Sequence, residues 1–203
     1  MILFEDNDVS IATIEEQDKA KVMQYFLEND FNCDRESGSL KPSERQFSEI
    51  IDGIISGEDD ENNIFVLRKN DEALGYVSMF VEYNRLNLGH IAVDKNERGK
   101  GYGKLLTEMA TKVADHDGRE VALFCFYPNG FLAELGFESH DNIHYLRQPK
   151  LYVGASLPKL FVSKEEYAKR KELESAREHE SFVNFLKSDF MMNFLKNCDK
   201  DMW

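Results

Sequence analysis

The sequence has few cysteines, and they are widely spaced. Cys33, Cys125 and Cys198 are the three cysteines, and no C-x-x-C pair occurs. This spacing excludes a disulfide framework and the paired cysteines of a zinc knuckle. His140 and His144 are four residues apart, but the H-E-x-x-H pattern of a zinc enzyme is missing around them. We therefore predict no metal site.

Long apolar runs and an excess of positive charge are also missing. No apolar run approaches the ~20 residues of a membrane-spanning helix. Met1–Phe4 turns acidic at once, without the apolar core of a signal peptide. These features predict a cytoplasmic protein that does not bind membranes.

The charge balance of the chain is strongly acidic. The 203 residues carry 38 acidic and 25 basic side chains, a formal net charge of −13. Nucleic-acid binding needs a basic face, so this composition argues against a nucleic-acid partner. An acidic surface favours a cationic substrate through electrostatic steering, or it serves solubility alone.

The most informative stretch runs from Leu88 to Ala114. The apolar run Leu88–Val93 predicts a strand, and a helical repeat of apolar residues starts at Leu105. A glycine-rich turn lies between them. Strand, glycine-rich turn and helix together present backbone N–H groups and the positive end of a helix to a phosphate. Residues 94–104 carry four cations and two anions, a net +2 within an acidic chain, and this predicts an anion-binding loop.

The spacing of the glycines separates the known types of phosphate loop. A dinucleotide-binding G-x-G-x-x-G that starts at Gly99 or Gly101 lacks its third glycine. A P-loop needs Ser or Thr after its Gly-Lys pair, and Leu105 stands at that position. The remaining pattern is R-x-x-G-x-G, from Arg98 to Gly103. The alternative interpretation is a structural glycine turn between a strand and a helix.

This R-x-x-G-x-G, five residues after Val93, resembles the acetyl-CoA signature of the GCN5-related N-acetyltransferase (GNAT) family. A second motif, Glu134-Leu135-Gly136-Phe137, is similar to the Leu-Gly-Phe that leads family members into their sixth strand. The predicted elements over residues 8–150 follow the family order of strand, two helices, three strands, helix, strand, short helix and hairpin. The resemblance implies an α/β (α+β) fold, with a mixed central sheet of six to seven strands flanked by helices.

The element boundaries come from local patterns. Thr13 with Glu16, and Ser43 with Gln46, form capping-box patterns before the first and second helices, and Gly57 is expected to end the second. Strands and short elements are predicted at Val9–Ala12, Ile64–Arg68, Ala73–Tyr83, Leu88–Val93, Val121–Tyr127, Phe131–Leu135 (helix), Phe137–Ser139 and Ile143–Arg147.

The resemblance implies that the protein transfers the acetyl group of acetyl-CoA, its cosubstrate, to a primary amine by direct attack on the thioester. In the family, backbone groups at the end of the central strand bind the pantetheine arm and the thioester oxygen. The counterparts in this sequence are Ile91, Ala92 and Val93. The pyrophosphate would be bound by the residues that follow, namely Arg98, Gly99, Lys100, Gly101, Tyr102, Gly103 and Lys104. Asn129 is carried over as the counterpart of an Asn that many members place before the last helix.

The general acid of the family has no direct counterpart in this sequence. The Tyr that many members place four residues before the Gly of Leu-Gly-Phe is Leu132 here. Tyr127 and Tyr145 are the substitutes that we consider as catalytic acids. The competing interpretation for each is a half-buried strand aromatic.

The general base is equally unmarked. Some family members carry a Glu six residues before the strand-end Val, and Asn87 stands there. We consider Glu82, near the end of the preceding strand, as the first candidate. His90 is the second, although the two-residue period of a strand places it opposite to Asn87 and Ile91, as a core histidine.

The acceptor amine is left open by the sequence. Residues 58–61 are four consecutive acids, which form either a solvated loop or a lip that attracts an amine. A small polyamine-like or antibiotic-like molecule and a protein N-terminus or lysine are all compatible with this pattern. A CoA-binding module with little or no catalytic activity is the second hypothesis, because Leu132 and Asn87 replace the acid and the base.

The last forty residues predict a helical extension. No Gly or Pro occurs from Ser163 to Trp203, and Ser163 with Glu166 forms a third capping box. A charged stretch is followed by an apolar stripe with a period of four residues: Phe182, Leu186, Phe190 and Phe194. One helix over 163–200 would be about 57 Å long, against about 38 Å for a 150-residue domain. We predict an acetyltransferase domain, residues 1–155, and a helical arm, residues 156–203, that docks on the domain or forms a homodimer.

Overall fold

The computed structural model describes residues 1–6, 8–28, 42–124, 130–140, 144–154 and 157–186. The chain forms two compact units, Met1–Val162 and Ser163–Trp203. The first unit ends later than the predicted boundary after residue 155, because Leu160, Phe161 and Val162 are buried in it. The N–H of Val162 donates to the carbonyl of Asp60 at 2.8 Å, which ties this segment to the body of the first unit.

One sheet forms the centre of the first unit. Its strands are β1 (Ile2–Asp6), β2 (Val9–Thr13), β3 (Asn62–Lys69), β4 (Glu72–Glu82), β5 (Arg85–Val93), β6 (Glu120–Phe124), β7 (Glu138–Ser139) and β8 (His144–Arg147). The eight strands lie in the order β1-β2-β3-β4-β5-β6-β8-β7. Neighbouring strands are antiparallel, except β5 and β6, which are parallel. The sheet confirms the predicted fold class and exceeds the predicted six to seven strands, since β1 adds an edge strand.

Helices cover the sheet on both faces. They are α1 (Glu16–Glu28), α2 (Glu44–Ser56), α3 (Tyr102–His116) and the short α4 (Phe131–Glu134). α1 and α2 bury Phe26, Phe47 and Ile51 in a cluster with Ile64 and Val66 of β3. The alternate β3 residues point to the opposite face, where α3 packs, and they are also fully buried. The core therefore has three layers of helix, sheet and helix.

The start of α1 differs from the predicted capping box. The helix begins at Glu16, and the carboxylate of Asp18 accepts from the N–H of Glu15 at 2.9 Å. Thr13 instead ends β2, where its hydroxyl accepts from the amino group of Met1 at 2.9 Å. The prediction was wrong because the helix starts two residues later than the predicted box needs. Asp18, the third helical residue, therefore takes the role that was predicted for Glu16.

The ends of α2 and the connection after α4 follow the sequence signals. Ser43 and Gln46 form the reciprocal capping box, and Gly57 ends the helix with φ +76°. After α4, Gly136 has φ +87° and the N–H of Phe137 donates to the carbonyl of Leu132 at 3.0 Å. These three predictions are confirmed. The end of the predicted Val121–Tyr127 strand lies outside the described residues.

The second unit contains one long helix, α5 (Lys164–Leu186). Its first turn confirms half of the predicted capping box, since the N–H of Glu166 donates to the Ser163 hydroxyl at 3.2 Å. Arg170 pairs with Glu166 one turn earlier, at 2.8 Å. Among the described residues, no helix combines the length and the apolar character needed to cross a membrane.

Candidate functional site

The site is built around the end of β5. The described pairs between the parallel strands β5 and β6 run from Arg85↔Glu120 to Leu88↔Leu123. On its other side, β5 is paired with β4 through to Val93↔Gly75. The predicted Ile91, Ala92 and Val93 are therefore the last three residues of β5, held in place by β4.

A β-bulge interrupts the pairing of β5 with β4. Met79 pairs with Leu88 and Val77 pairs with Ile91, so that Ser78 alone faces two residues of β5, Gly89 and His90. The Ser78 hydroxyl accepts from the N–H of His90 at 2.8 Å. A side chain at residue 89 would lie only 2.9 Å from the same hydroxyl. Bulges bend and twist the strand that contains them, so β5 changes direction just before Ile91.

The bulge changes the face on which His90 lies. Its imidazole contacts Phe26 of α1 edge-on, with ring centroids 5.4 Å apart, and Phe47 of α2 at 6.1 Å. Asn87 pairs with Phe80, which shares a face of β4 with Tyr76 of the α1–α2 core. His90 and Asn87 therefore lie on the same face, and the expectation from a regular two-residue period does not hold. The signal in the sequence was Gly89, since a glycine inside a strand is typical of a bulge.

Residues 98–104, which we call the glycine loop, lie between β5 and the body of α3 and include the first three residues of that helix. Gly99 and Gly101 have φ values of +78° and +87°, a left-handed conformation that residues with a side chain rarely adopt. A Cβ built at Gly99, Gly101 or Gly103 meets no atom within 4 Å, so the space in front of each is open. Gly101 caps α3, and the first N–H groups of that helix have no intrahelical acceptor. The loop thus offers an open cradle of backbone donors at the positive end of a helix, which fits a pyrophosphate.

The cations of the glycine loop are held by neighbouring groups. The Arg98 guanidinium donates to the carbonyl of Val93 at 3.1 Å. Lys100 pairs with Glu97 at 2.9 Å, and this hydrogen bond raises the pKa of the Lys100 amine. Lys104 pairs with Glu134 of α4. The Arg98 and Lys100 side chains are exposed and that of Lys104 is half-exposed, so all three stay accessible to an anionic ligand.

The connection between β5 and the glycine loop is stabilised by Asp94. Its carboxylate accepts from the N–H of Asn96 at 2.9 Å and from the hydroxyl of Tyr25 at 3.2 Å. The hydrogen bond from the backbone N–H of Asn96, together with the one from the Tyr25 hydroxyl, lowers the pKa of Asp94. Asp94 therefore remains an acceptor at neutral pH. Sequence reasoning missed Tyr25 and Asp94, since no local pattern joins residues so far apart.

The predicted catalytic residues are not all brought together. Glu82 is the last residue of β4 and pairs with Arg85, whereas Ile91 pairs with Val77. At about 3.4 Å per residue, Glu82 lies roughly 17 Å along the strand from the Ile91 row. Tyr145 of β8 pairs with Leu123, which pairs with Leu88, so it lies two strands or about 10 Å from β5. The predicted Tyr127 and Asn129 lie outside the described residues.

Leu132, which stands where family members place a Tyr acid, is 3 % exposed. It lies on α4, and its carbonyl accepts from the N–H of Phe137. Its side chain is thus a core residue. This position supplies no acid.

The acidic run 58–61 precedes β3, at the same end of the sheet as Glu82. Asp59 uses its carboxylate locally, because it accepts from the backbone N–H groups of Glu61 and Asn62 and from the Asn62 amide. The N–H of Val81 donates to the carbonyl of Glu61 at 2.9 Å, which places the run beside the end of β4. This end of the sheet is rich in acidic side chains, which favours the approach of a cation.

A cavity of about 400 Å³ lies next to this acidic run. Thr13 and Ile14, Asn63 and the end of α2 line it, together with Lys159, Leu160 and Phe161. It borders β2 and β3, so β4 separates it from the bulge in β5. Within the described residues, no three His, Cys, Asp or Glu side chains are grouped to hold a metal ion.

Comparison with known proteins identifies the family. The model of the acetyltransferase (GNAT) family matches residues 24–137, more than half of the chain. The protein belongs to the GNAT acetyltransferase family. A search of curated protein sequences found no match.

Solved structures share the fold at low sequence identity. One is PaiA N-acetyltransferase from Thermoplasma acidophilum, solved in complex with coenzyme A (16% identity, TM-score 0.54, covering 71% of this chain and 99% of that one). Another is the ribosomal-protein-S18-alanine N-acetyltransferase from Escherichia coli (18%, TM-score 0.51, 74% and 99%). A third is the acetyl transferase from Salmonella typhimurium that modifies the N-terminal serine of ribosomal protein L7/L12 (13%, TM-score 0.53, 74% and 100%).

Proposed function

We propose that the protein is an N-acetyltransferase that moves the acetyl group of acetyl-CoA to a primary amine. One observation carries the proposal: the glycine loop, with open space in front of three glycines, follows the bulged end of β5 through a single 3-10 turn. An extended ligand with a pyrophosphate at one end and a thioester at the other fits this succession of backbone donors. Family membership gives the class of reaction.

The chain supplies binding groups along the whole ligand. We propose that the backbone of the glycine loop and the N-terminus of α3 hold the pyrophosphate, with Arg98, Lys100 and Lys104 at the rim. The backbone of Ile91, Ala92 and Val93 would bind the pantetheine arm and the thioester oxygen. Asn129 remains a proposed contact. A backbone N–H aimed at the developing oxyanion typically contributes about 10²–10³ in rate.

The reaction needs an unprotonated amine at the thioester. The amine nitrogen forms a bond to the carbonyl carbon, and the bond from carbon to sulfur breaks. The nitrogen gives up one proton to a base, and the departing sulfur takes up one proton to leave as a thiol. The thioester is already activated, so the chain's task is to position two reactants and move protons.

We propose His90 as the group that takes the proton of the amine. It adjoins Ile91 at the bulge and lies on the face of α1 and α2. Glu82 remains the other candidate, and its distance along β4 restricts it to acting through intervening water. Tyr127 and Tyr145 remain proposed acids. General acid–base help is worth about 10²–10⁴-fold, less than the ~7–11 kcal/mol available from positioning, so activity is expected even without the family's Tyr.

The acceptor that we propose is a cationic amine. The acidic run 58–61 and Glu82 lie at one end of the sheet, and the chain as a whole carries −13. Two of the structural neighbours described above act on ribosomal proteins, one on an N-terminal serine and one on an alanine. A protein α-amine is therefore a reasonable first acceptor to test, beside a polyamine.

The first experiment separates binding from turnover. Calorimetry with CoA should show binding, and thiol release from acetyl-CoA should appear with at least one acceptor from a panel of basic peptides with free α-amines, lysine peptides and polyamines. H90Q should lower kcat at least ~100-fold without changing CoA affinity. E82Q is the matched variant, and a larger loss in E82Q than in H90Q would assign the base to Glu82 instead.

A CoA-binding module is the second candidate function. The buried Leu132 and the replacement of the family's Glu by Asn87 favour it. Retained CoA binding without thiol release across the whole panel would support this alternative. No binding of CoA or acetyl-CoA at millimolar concentration would refute both candidates.

A further inference from the structure

We propose that Tyr25 of α1 is a positioning residue for acetyl-CoA. Its hydroxyl holds Asp94, and through Asp94 it holds the start of the glycine loop, which binds the ligand. The proposal rests on the proposed function, because it assigns a role within the same site. It does not make Tyr25 a catalytic residue. It makes α1, which packs on the face of the sheet that carries His90, part of the machinery that binds the acetyl donor.

Tyr25 is buried, and its hydroxyl reaches two other elements. The side chain is 2 % exposed. Its oxygen lies 3.2 Å from the Asp94 carboxylate and 3.1 Å from the backbone carbonyl of Ala73 on β4. The one proton of the phenol is shared between these two acceptors, and a hydrogen bond to a carboxylate is charge-assisted and stronger than one between neutral groups.

Asp94 transmits this contact to the glycine loop. It directly follows the last residue of β5, and its N–H donates to the carbonyl of Leu74 at 2.7 Å. Its other carboxylate oxygen accepts from the N–H of Asn96, and this caps the 3-10 turn Lys95–Glu97 that leads into the loop. The turn that sets the direction of the loop is therefore fixed on one side by β4 and on the other by α1.

A second contact joins the same elements. The Lys95 amine lies 3.9 Å from the carboxylate of Glu28, the last residue of α1. Both side chains are partly exposed, so this ion pair contributes little energy. It nevertheless places the end of α1 directly beside the 3-10 turn, as the Tyr25 contact does.

The protonation of the pair suits this role at neutral pH. Burial raises the pKa of the Tyr25 phenol, and the negative charge of Asp94 raises it further, so the hydroxyl keeps its proton. Hydrogen bonds hold the pKa of Asp94 below its usual range. The donor thus stays a donor and the acceptor stays an acceptor across the neutral range.

One helix consequently contacts both halves of the site. Tyr25 reaches the start of the glycine loop, and the adjacent Phe26 packs edge-on against His90 at the bulge. Removal of the Tyr25 hydroxyl should leave the packing of Phe26 intact and release the loop alone. The effect is then expected in the affinity for CoA and in KM for acetyl-CoA, with little change in kcat.

Y25F in the full chain tests the proposal, with Y76F as the matched control. Tyr76 is also buried, at 1 % exposure, in the same α1–α2 core. Within the described residues its phenol forms no hydrogen bond. We expect Y25F to raise the Kd for CoA and KM for acetyl-CoA about five- to tenfold, the size of one ordinary hydrogen bond, since Tyr25 acts on the ligand only through the loop. kcat at saturating acetyl-CoA should stay within about twofold, and Y76F should bind CoA like the unmodified protein.

Variants of Asp94 test the other partner of the contact, and D94N is the conservative one. D94A removes both acceptor oxygens and should weaken CoA binding at least as much as Y25F, whereas D94N keeps one acceptor and should lie between D94A and the unmodified protein. Equal CoA affinity in Y25F and the unmodified protein overturns the proposal, as does an equal loss in Y76F. If the unmodified protein itself fails to bind CoA, the proposed function fails and this proposal with it.

Discussion

Gly101 and Gly57 have nearly the same backbone conformation in different parts of the molecule. Gly101 caps α3 with φ +87°, and Gly57 ends α2 with φ +76°. At both positions a Cβ meets no atom within 4 Å. An alanine at either position thus strains the backbone without colliding with the protein. Only at Gly101 would the added methyl group also meet the proposed ligand.

We predict that G101A and G57A lose similar stability but differ in CoA binding. Each should lower the free energy of unfolding by about 1–2 kcal/mol, the cost of a left-handed conformation for a residue with a side chain. Only G101A should also weaken CoA binding, by at least about tenfold, because its methyl group occupies the cradle. Denaturant unfolding and calorimetry measure the two effects. CoA affinity unchanged in G101A would contradict the placement of the pyrophosphate.

At the scale of residues, the sequence predicts a feature of the structure only where that feature requires a particular residue type. A need for positive φ selects glycine, so Arg98 to Gly103 could be recognised from the sequence. The face of His90 could not, because the bulge depends on how β5 pairs with β4, and Gly89 alone hints at it. Tyr25 and Asp94 are 69 residues apart, and no local pattern joins them.

At the scale of elements, a buried ion pair ties α1 to β3. The Arg68 guanidinium donates to one oxygen of Asp18 at 2.9 Å and also contacts the other oxygen. The Asp18 and Arg68 side chains are 2% and 7% exposed. The hydrogen bond from Arg68 to Asp18 raises the pKa of Arg68, so the guanidinium stays charged. This pair helps to set the position of α1, and hence of Tyr25 and Phe26, over the sheet.

D18A should destabilise the protein by about 3–5 kcal/mol, because it leaves a buried guanidinium without its main partner. R45A is the control, since it breaks the exposed pair of Arg45 and Glu49 within α2, and it should cost less than about 1 kcal/mol. Urea unfolding followed by circular dichroism measures both. A loss in D18A no larger than that in R45A would mean that α1 is held by apolar packing alone.

The ends of helices were predicted correctly where a strong local sequence pattern marks them, and elements with weak patterns were missed or misplaced. The capping box of α2, its closing Gly57 and the turn at Leu-Gly-Phe are all as expected, because each is decided by residues within a few positions. β1 was missed, since an edge strand exposed on much of its surface lacks clear alternation. The box at Thr13 was misplaced because Asp18 competes for the same role.

At the scale of the whole molecule, the second unit carries large apolar side chains that are exposed to solvent. α5 presents Phe182 and Phe185 at 57 % and 50 % exposure, and the predicted stripe beyond them lies outside the described residues. The sequence supports an apolar helical arm, but helical periodicity does not identify its partner. The division into a catalytic domain and an arm that forms a homodimer therefore stays a prediction.

We predict that the full chain is a dimer and that residues 1–162, the first compact unit, are a monomer. The apolar stripe of the arm would be buried between two copies and would be lost on deletion of 163–203. Sedimentation equilibrium of both proteins measures the masses. CoA binding by residues 1–162 serves as the folding control, and a monomeric full chain would show the dimer prediction to be wrong.

The bulge in β5 has a thermodynamic consequence. A bulge interrupts the ladder of hydrogen bonds, and the Gly89–Val93 end of β5 should therefore exchange its amide hydrogens faster than the Arg85–Leu88 end. A ligand that binds to this end of the strand binds the folded chain and not the unfolded one. Saturation at 100 times the Kd would then add about 2.7 kcal/mol to the free energy of unfolding. On this view, the thermal resistance of the protein would follow the cellular supply of the acetyl donor.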